Sequence, residues 1–252
     1  MDWSLVSVDP RIATGRAIIQ VAEDSKENVI LLLPGANHSL TNEHVVEAID
    51  TLSQGDFLVL QNEIGLDQTL KALTIGRSKD LITALSLAPC PSNPLTISQM
   101  DLSKNVDILF LNETEADMLM TSLGAQDPSL GFDQGTRLMN LLEGLSVLLL
   151  TLGAQGCILY SRRQDSTVQK HAFPALRNVK VLDSTGAGDT FAGYFVGLLA
   201  KRMDDAAQII RTVSLEILQD CVQVAITASG LACEAKGALA SIPNLEAVQA
   251  RH

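Results

Sequence analysis

The stretch Asp183-Ser184-Thr185-Gly186-Ala187-Gly188-Asp189-Thr190-Phe191-Ala192-Gly193 concentrates the chemistry of this chain. Its glycines let the backbone turn sharply and come within hydrogen-bonding distance of an anion, and a helix predicted over Asp189 to Lys201 aims its free N–H groups and positive dipole end at the same point. Asp189 stands beside that point, placed to take a proton from a hydroxyl attacking phosphorus. A plainer reading fits the same residues: glycine is common at any strand-to-helix turn, and an acid in a first helical turn serves the dipole. Two familiar nucleotide motifs do not fit. A dinucleotide fingerprint follows the first strand, whereas this run is late and has Phe191 where the third glycine belongs; a Walker loop needs a lysine after Gly188.

Three further groups carry polar residues at predicted strand ends. Asn112 can cap the following helix with Glu115 closing a capping box, Glu63 can cap the helix after its strand, and Thr151 to Gly156 has the Thr-x-Gly form of a strand exit. Cys90, Cys157, Cys221 and Cys233 are widely spaced among mostly apolar neighbours and read as small buried hydrophobes, and His38, His44, His171 and His252 show no metal-ligand spacing.

The elements that would position these groups alternate. Gly15–Val21 and Val29–Leu33 read as a β-hairpin around the polar loop Glu23 to Asn28, and Pro34-Gly35-Ala36-Asn37 breaks it. Thr41 caps a helix bearing Val45, Val46 and Ile49. Strands follow at Phe57–Leu60, Leu81–Leu87, Asp107–Leu111 and Ser146–Leu150, with helices at Leu66–Ile75, Glu113–Leu123 and Gln134–Glu143 between them. Continuous apolar strands alternating with helices predict an α/β fold with a parallel sheet covered on both faces. Gly156–Tyr160 and Val168–Phe173 predict a second hairpin, and helical runs follow from Asp204 through Gln219 and from Cys221 to Cys233.

The chain has 252 residues, 46% hydrophobic and 19% charged, with Lys+Arg 18 against Asp+Glu 29 and a net charge of −11. That charge repels nucleic acid backbones and anionic membranes, no apolar run spans a bilayer, and the acidic start lacks a basic leader. The chain reads as cytoplasmic, with small-molecule partners.

At the 183–189 run the chain resembles the ribokinase-like, or phosphofructokinase B type, carbohydrate kinases. Further blocks occur in that family's order: Pro34-Gly35-Ala36-Asn37, Leu60-Gln61-Asn62-Glu63, Asn112-Glu113-Thr114-Glu115, Thr151-Leu152-Gly153-Ala154-Gln155-Gly156 and Lys236 to Pro243. The resemblance runs from about Gly15 to Val248 and points to the ribokinase branch. It implies one ribokinase-like α/β domain over residues 1–252, with residues 15–33 as a small β lid that serves in a homodimer. It also implies transfer of the ATP γ-phosphoryl group to a sugar hydroxyl, most directly that of D-ribose; the alternatives are another sugar or nucleoside, or a nucleotide-binding relative without activity.

Carried over residue by residue, the resemblance makes Asp189 the base and gives the amides at Gly186 and Gly188 the transferred phosphoryl group. ATP would lie on Asn112, on Thr151, Leu152, Gly153, Ala154, Gln155 and Gly156, and on Gly188, while the sugar would meet Glu63 and Asp189. Glu115 would approach the Mg²⁺ shell. K⁺ would be enclosed by oxygens of Asp183, Thr185, Ala232, Ala235, Gly237 and Ser241. Two departures stand out. Ile226 falls where members often place a polar residue beside adenine. The family's opening strand, with its sugar-contacting Asp, and its Gly-Gly-x-Gly-x-Asn loop are not matched, so the family domain is expected to be incomplete at its start, leaving strand edges and an apolar helix face open to association.

Overall fold

The computed structural model describes residues 4–21, 28–125, 133–203 and 210–251. Two sheets organise them. Strands β1 (Arg16–Val21) and β2 (Asn28–Leu33) form an antiparallel pair in which Ile18 faces Leu31. Of the loop expected at Glu23 to Asn28, residues 23–27 lie outside the described residues, and Asn28 instead opens β2. Six strands, β3 (Phe57–Gln61), β4 (Ile82–Ser86), β5 (Ile108–Asn112), β6 (Val147–Thr151), β7 (Cys157–Arg162) and β8 (Val168–Phe173), make the main sheet in that order. It is parallel from β3 to β6. The second hairpin extends the same sheet antiparallel, because the 3-10 turn Gly153–Gln155 is too short for a crossover.

Sequential parallel strands joined by crossovers of one hand put every connecting helix on one face. That face carries α1 (Asn42–Asp50), α2 (Leu66–Ser78), α3 (Pro94–Met100), α4 (Leu102–Asn105), α5 (Glu113–Ser122) and α6 (Gln134–Leu141), whose apolar side chains bury Leu85, Leu109, Leu111, Leu148 and Leu150 of the sheet. The other face is covered by α7 (Ala187–Arg202) and α8 (Leu215–Ala232), which bury Ala84, Ile108, Phe110, Val147, Leu149 and Leu159. Burial on both sides is why the strands are continuously apolar. Phe110 meets Phe191 and Phe195 edge-on, with ring centres 6.3 and 5.8 Å apart, so α7 is anchored on β5.

The sequence reading misses α3, α4 and the C-terminal α9 (Leu245–Arg251), all of seven residues or fewer, and breaks α8 at Asp220. Instead α8 is one helix from its N-cap Ser214, and Asp220 sits on its exposed side paired with Arg202 at 3.0 Å. The first part of the helical run expected from Asp204, residues 204–209, lies outside the described residues.

Coverage is uneven. Ile18, Leu31 and Val59 are 52%, 58% and 53% exposed, and β3 ends the sheet. On the opposite side, Asp133 caps α6, accepts from the Tyr160 hydroxyl and lies 3.1 Å from Lys170 Nζ. Burial pushes the Asp133 carboxyl up, but hydrogen bonds from Tyr160, Lys170 and Thr136 outweigh it and hold the group at about 2. No helix among the described residues is long and apolar enough to cross a membrane.

Candidate active site

The ends of β5 and β6, the first turn of α7 and the strap 174–182 enclose a cleft of ≈ 760 Å³. Asn112, Thr151, Gly153, Ala154, Gly156 and Gly188 all line it, so residues far apart in the chain converge at one mouth. They do so because β5 and β6 are parallel neighbours, with Asn112 opposite Thr151 in the register. Thr151 Oγ1 donates to the Leu111 carbonyl at 3.3 Å, which ties the two strand ends together. Gly156 has φ +102°, and a Cβ there would overlap the Phe173 carbonyl oxygen, so only glycine closes this turn.

Helix α7 has Gly186 as its N-cap and no side-chain cap among the described residues; the Ala187 amide donates to the Ser184 carbonyl at 3.2 Å, and the Gly188 amide, next in the first turn, is the candidate donor to a ligand. Gly188 faces the cleft. Its neighbour Asp189 instead lines an adjoining groove of ≈ 340 Å³, bordered by Tyr194, Leu198, Ile242 and Leu245. The first turn of α7 therefore separates two spaces, with potential anion donors on one side and an exposed carboxylate on the other.

The turn is held from behind. Asp183 accepts from the Thr185 amide and from the Gly237 amide, both at 2.9 Å. Thr185 and those amides keep its carboxyl below the usual range. The Cys233 carbonyl accepts from Leu182 at 2.8 Å and Asp183 at 3.3 Å, and Ala238 packs on Gly186. Ala232, Ala235, Gly237 and Ser241 thus belong to the segment behind the turn, away from the cleft mouth, and Ser241 Oγ donates to the Ala238 carbonyl at 2.7 Å.

Of the other expected residues, Glu115, Leu152, Gln155 and Glu63 do not line the large cleft. Asn112 and Glu115 form the reciprocal capping box of α5, at 2.8 and 2.9 Å, and burial raises the Glu115 carboxyl. Glu113 and Thr114, not Glu115, reach the cleft. Leu152 turns into the core below the strand exit, and the exposed Gln155 does not line the cleft. Glu63 is exposed beyond β3 and does not cap α2, whose N-cap is Gly65 with no side-chain cap among the described residues. Sequence reasoning missed the far end of the cleft, where Leu176, Val179, Ser229, Gly230 and Cys233 meet Ile226. Its apolar spacing is indistinguishable from a core-facing helix stripe.

A profile of the pfkB family carbohydrate kinases matches residues 2–245. Ribokinase of Staphylococcus aureus is 31% identical over 248 residues, covering 98% of this chain and 73% of that protein. Mouse ribokinase is 34% identical over 212 residues, but this chain spans only 62% of its length. Among solved structures, ribokinase from Cryptococcus neoformans in complex with ADP superimposes with a TM-score of 0.78 at 30% identity, covering 97% of this chain and 73% of that one.

Proposed function

The chain belongs to the pfkB family of carbohydrate kinases, and we propose that it transfers the γ-phosphoryl group of ATP to a sugar hydroxyl, with D-ribose as acceptor and D-ribose 5-phosphate as product. The observation that carries this reading is the division made by α7: Gly188 faces the large cleft and Asp189 the adjoining groove. A nucleotide in the cleft would present its terminal phosphate to the amides at Gly186 and Gly188. A sugar in the groove would present its hydroxyl to Asp189, which takes the proton as the oxygen attacks in line.

On the same reading, the β6 exit from Thr151 to Gly156 carries the nucleotide's phosphates and ribose, with Asn112 beside them. Magnesium bound with ATP supplies charge neutralisation on the phosphates. Glu115 would meet that shell through water, because its carboxylate accepts from the Asn112 backbone amide. Potassium suits the all-oxygen set behind the turn: Asp183, the Thr185, Ala232, Ala235 and Gly237 carbonyls and Ser241. Asp183 spends one bond per oxygen on amides and keeps lone pairs for a hard cation. The hairpin β1–β2, apolar and exposed, serves as a lid over the acceptor side and as the contact of a cytoplasmic homodimer.

Incubation with ATP and ribose, followed by ³¹P NMR, tests the proposal. A new phosphomonoester that disappears in Asp189→Asn supports it; ATP unchanged with ribose and with every other sugar tried overturns it. A second reading, a nucleotide-binding relative with feeble transfer, is favoured by the exposure of Glu63 and the lid. Saturable ATP binding without ribose binding would select it.

A further inference from the structure

The flank of α7 that borders the smaller groove is regular. Asp189, Gly193, Gly197 and Lys201 recur every four residues and all are exposed, while Phe191, Phe195 and Leu199 point the other way and are buried. Rows spaced by four are the ridges that meet when two helices cross at about −50°, the commonest packing class. At Gly193 and Gly197 an added Cβ would meet nothing within 4 Å, so the floor of the groove is bare backbone open to close approach. Its rim is apolar: Ile242 and Leu245 stand along it, 42% and 39% exposed. The two ends of the row carry opposite charges, and neither has an ion-pair partner among the described residues. They cannot serve each other, because the helix between them holds them about 18 Å apart. Thr190, at the acidic end, is 2% exposed and its hydroxyl has no partner among the described residues, so that end lacks a donor.

This row is its own complement. Around a twofold axis midway between Gly193 and Gly197, each Gly193 of one copy meets Gly197 of the other, and each Asp189 meets Lys201. That is the requirement of an isologous contact. A parallel arrangement would set Asp189 against Asp189 and Lys201 against Lys201, so the charges select the antiparallel one. The incoming ammonium carries three donors and arrives at the end where Asp189 and Thr190 have none. We infer that this flank of α7 is a contact between two copies of the chain, separate from the β1–β2 hairpin, and that the contact silences phosphoryl transfer by covering the acceptor groove and holding the Asp189 carboxylate on the partner's Lys201. The effect on activity rests on the reading of Asp189 as the base. The small side chains limit the buried area, so the pair is of the weak, transient class and forms as the protein is concentrated.

The test is sedimentation equilibrium in a Leu31→Lys background, which removes the hairpin contact, beside ³¹P NMR rates per chain over the same range of protein concentration. Self-association should rise with concentration, weaken with added salt and lower the rate per chain in step. Lys201→Glu sets acid against acid; it should weaken self-association by about tenfold or more and erase the fall in rate with concentration. Asp189→Lys, with lysine at both ends of the row, should also stay monomeric, yet mixed with Lys201→Glu it should form a one-to-one pair. Gly197→Gln, whose side chain enters open space in the monomer, should block the close approach and abolish the pair. A parent chain that stays monomeric at every concentration, or charge variants that associate as well as the parent, overturns the inference. Association in the expected charge pattern with no fall in rate overturns the silencing and removes Asp189 from the acceptor site. Absence of transfer even in dilute solution fails the kinase reading instead, and the mixing of the two charge variants still decides the contact.

Discussion

Around β5 and α7 the side chains facing the sheet are sealed: Phe195 and Leu109 are fully buried, and the residues that line the large cleft hang from that core. Around β1 to β3 the same kinds of residue, Ile18, Leu31 and Val59, are half exposed, and Glu63 extends from an edge strand. The comparison separates two sources of precision. On the cleft side, packing within the chain preorganises the amides and hydroxyls. On the lid side, the apolar surface reaches full burial only against something else, since an isolated two-stranded hairpin is marginal in water.

The largest effect that would sharpen this contrast is on stability. Phe195→Ala should cost about 3–5 kcal/mol, while Val59→Ala should stay within about 0.5 kcal/mol. Urea unfolding midpoints of the two variants decide it; equal losses would erase the distinction. Asp189→Asn should lower turnover by about 10²-fold or more with nucleotide affinity and unfolding midpoint unchanged, as judged by a coupled assay beside a binding titration. A variant that turns over normally removes Asp189 from the mechanism. Gly156→Ala should cost about 1–3 kcal/mol, since its Cβ meets a carbonyl and the backbone has φ +102°, and nucleotide affinity should fall with it.

Smaller again is a pH effect on the sealed side. Asp133 is held at about 2, below an unfolded value near 4, so its contribution is complete above about pH 4 and lost as pH falls toward 2. Its side chain is 40% exposed, so screening limits the gain to about 1 kcal/mol. The melting temperatures of wild type and Asp133→Asn should therefore differ at neutral pH and converge in acid; a gap that persists at pH 2 would assign the loss to packing. Least of all, Leu31→Lys should shift monomer stability by less than about 0.5 kcal/mol and still abolish the proposed dimer, which sedimentation would show.

Much of the sealed side was legible in the sequence because local signals and packing agree there. Thr41 does cap α1, and the Asn112 to Glu115 run makes its capping box. Each strand of the sheet from β3 to β6 is an apolar run. The Pro94 and Leu245 helices escaped because short segments after Asn93 and Pro243 look like turns, and local pattern holds no information about the neighbours that stabilise them. Gly188 and Thr151 were visible through glycine and hydroxyl chemistry at strand ends. Ser229 and Gly230 were not, since a helix face lining a slot and one lining a core have the same period.

Asp183 ties the α7 turn to Gly237, 54 residues further along, and the Lys180 amide reaches Glu234 over the same separation. Closing so long a loop costs chain entropy that is recovered only after the two intervening helices have docked. The α7 turn and the segment after Cys233 therefore depend on each other for their order. Binding a nucleotide at that turn would then slow amide exchange around Gly237 and Ser241, a stretch that does not line the cleft, and a protease that trims the chain after Cys233 would silence the site before it unfolds the sheet.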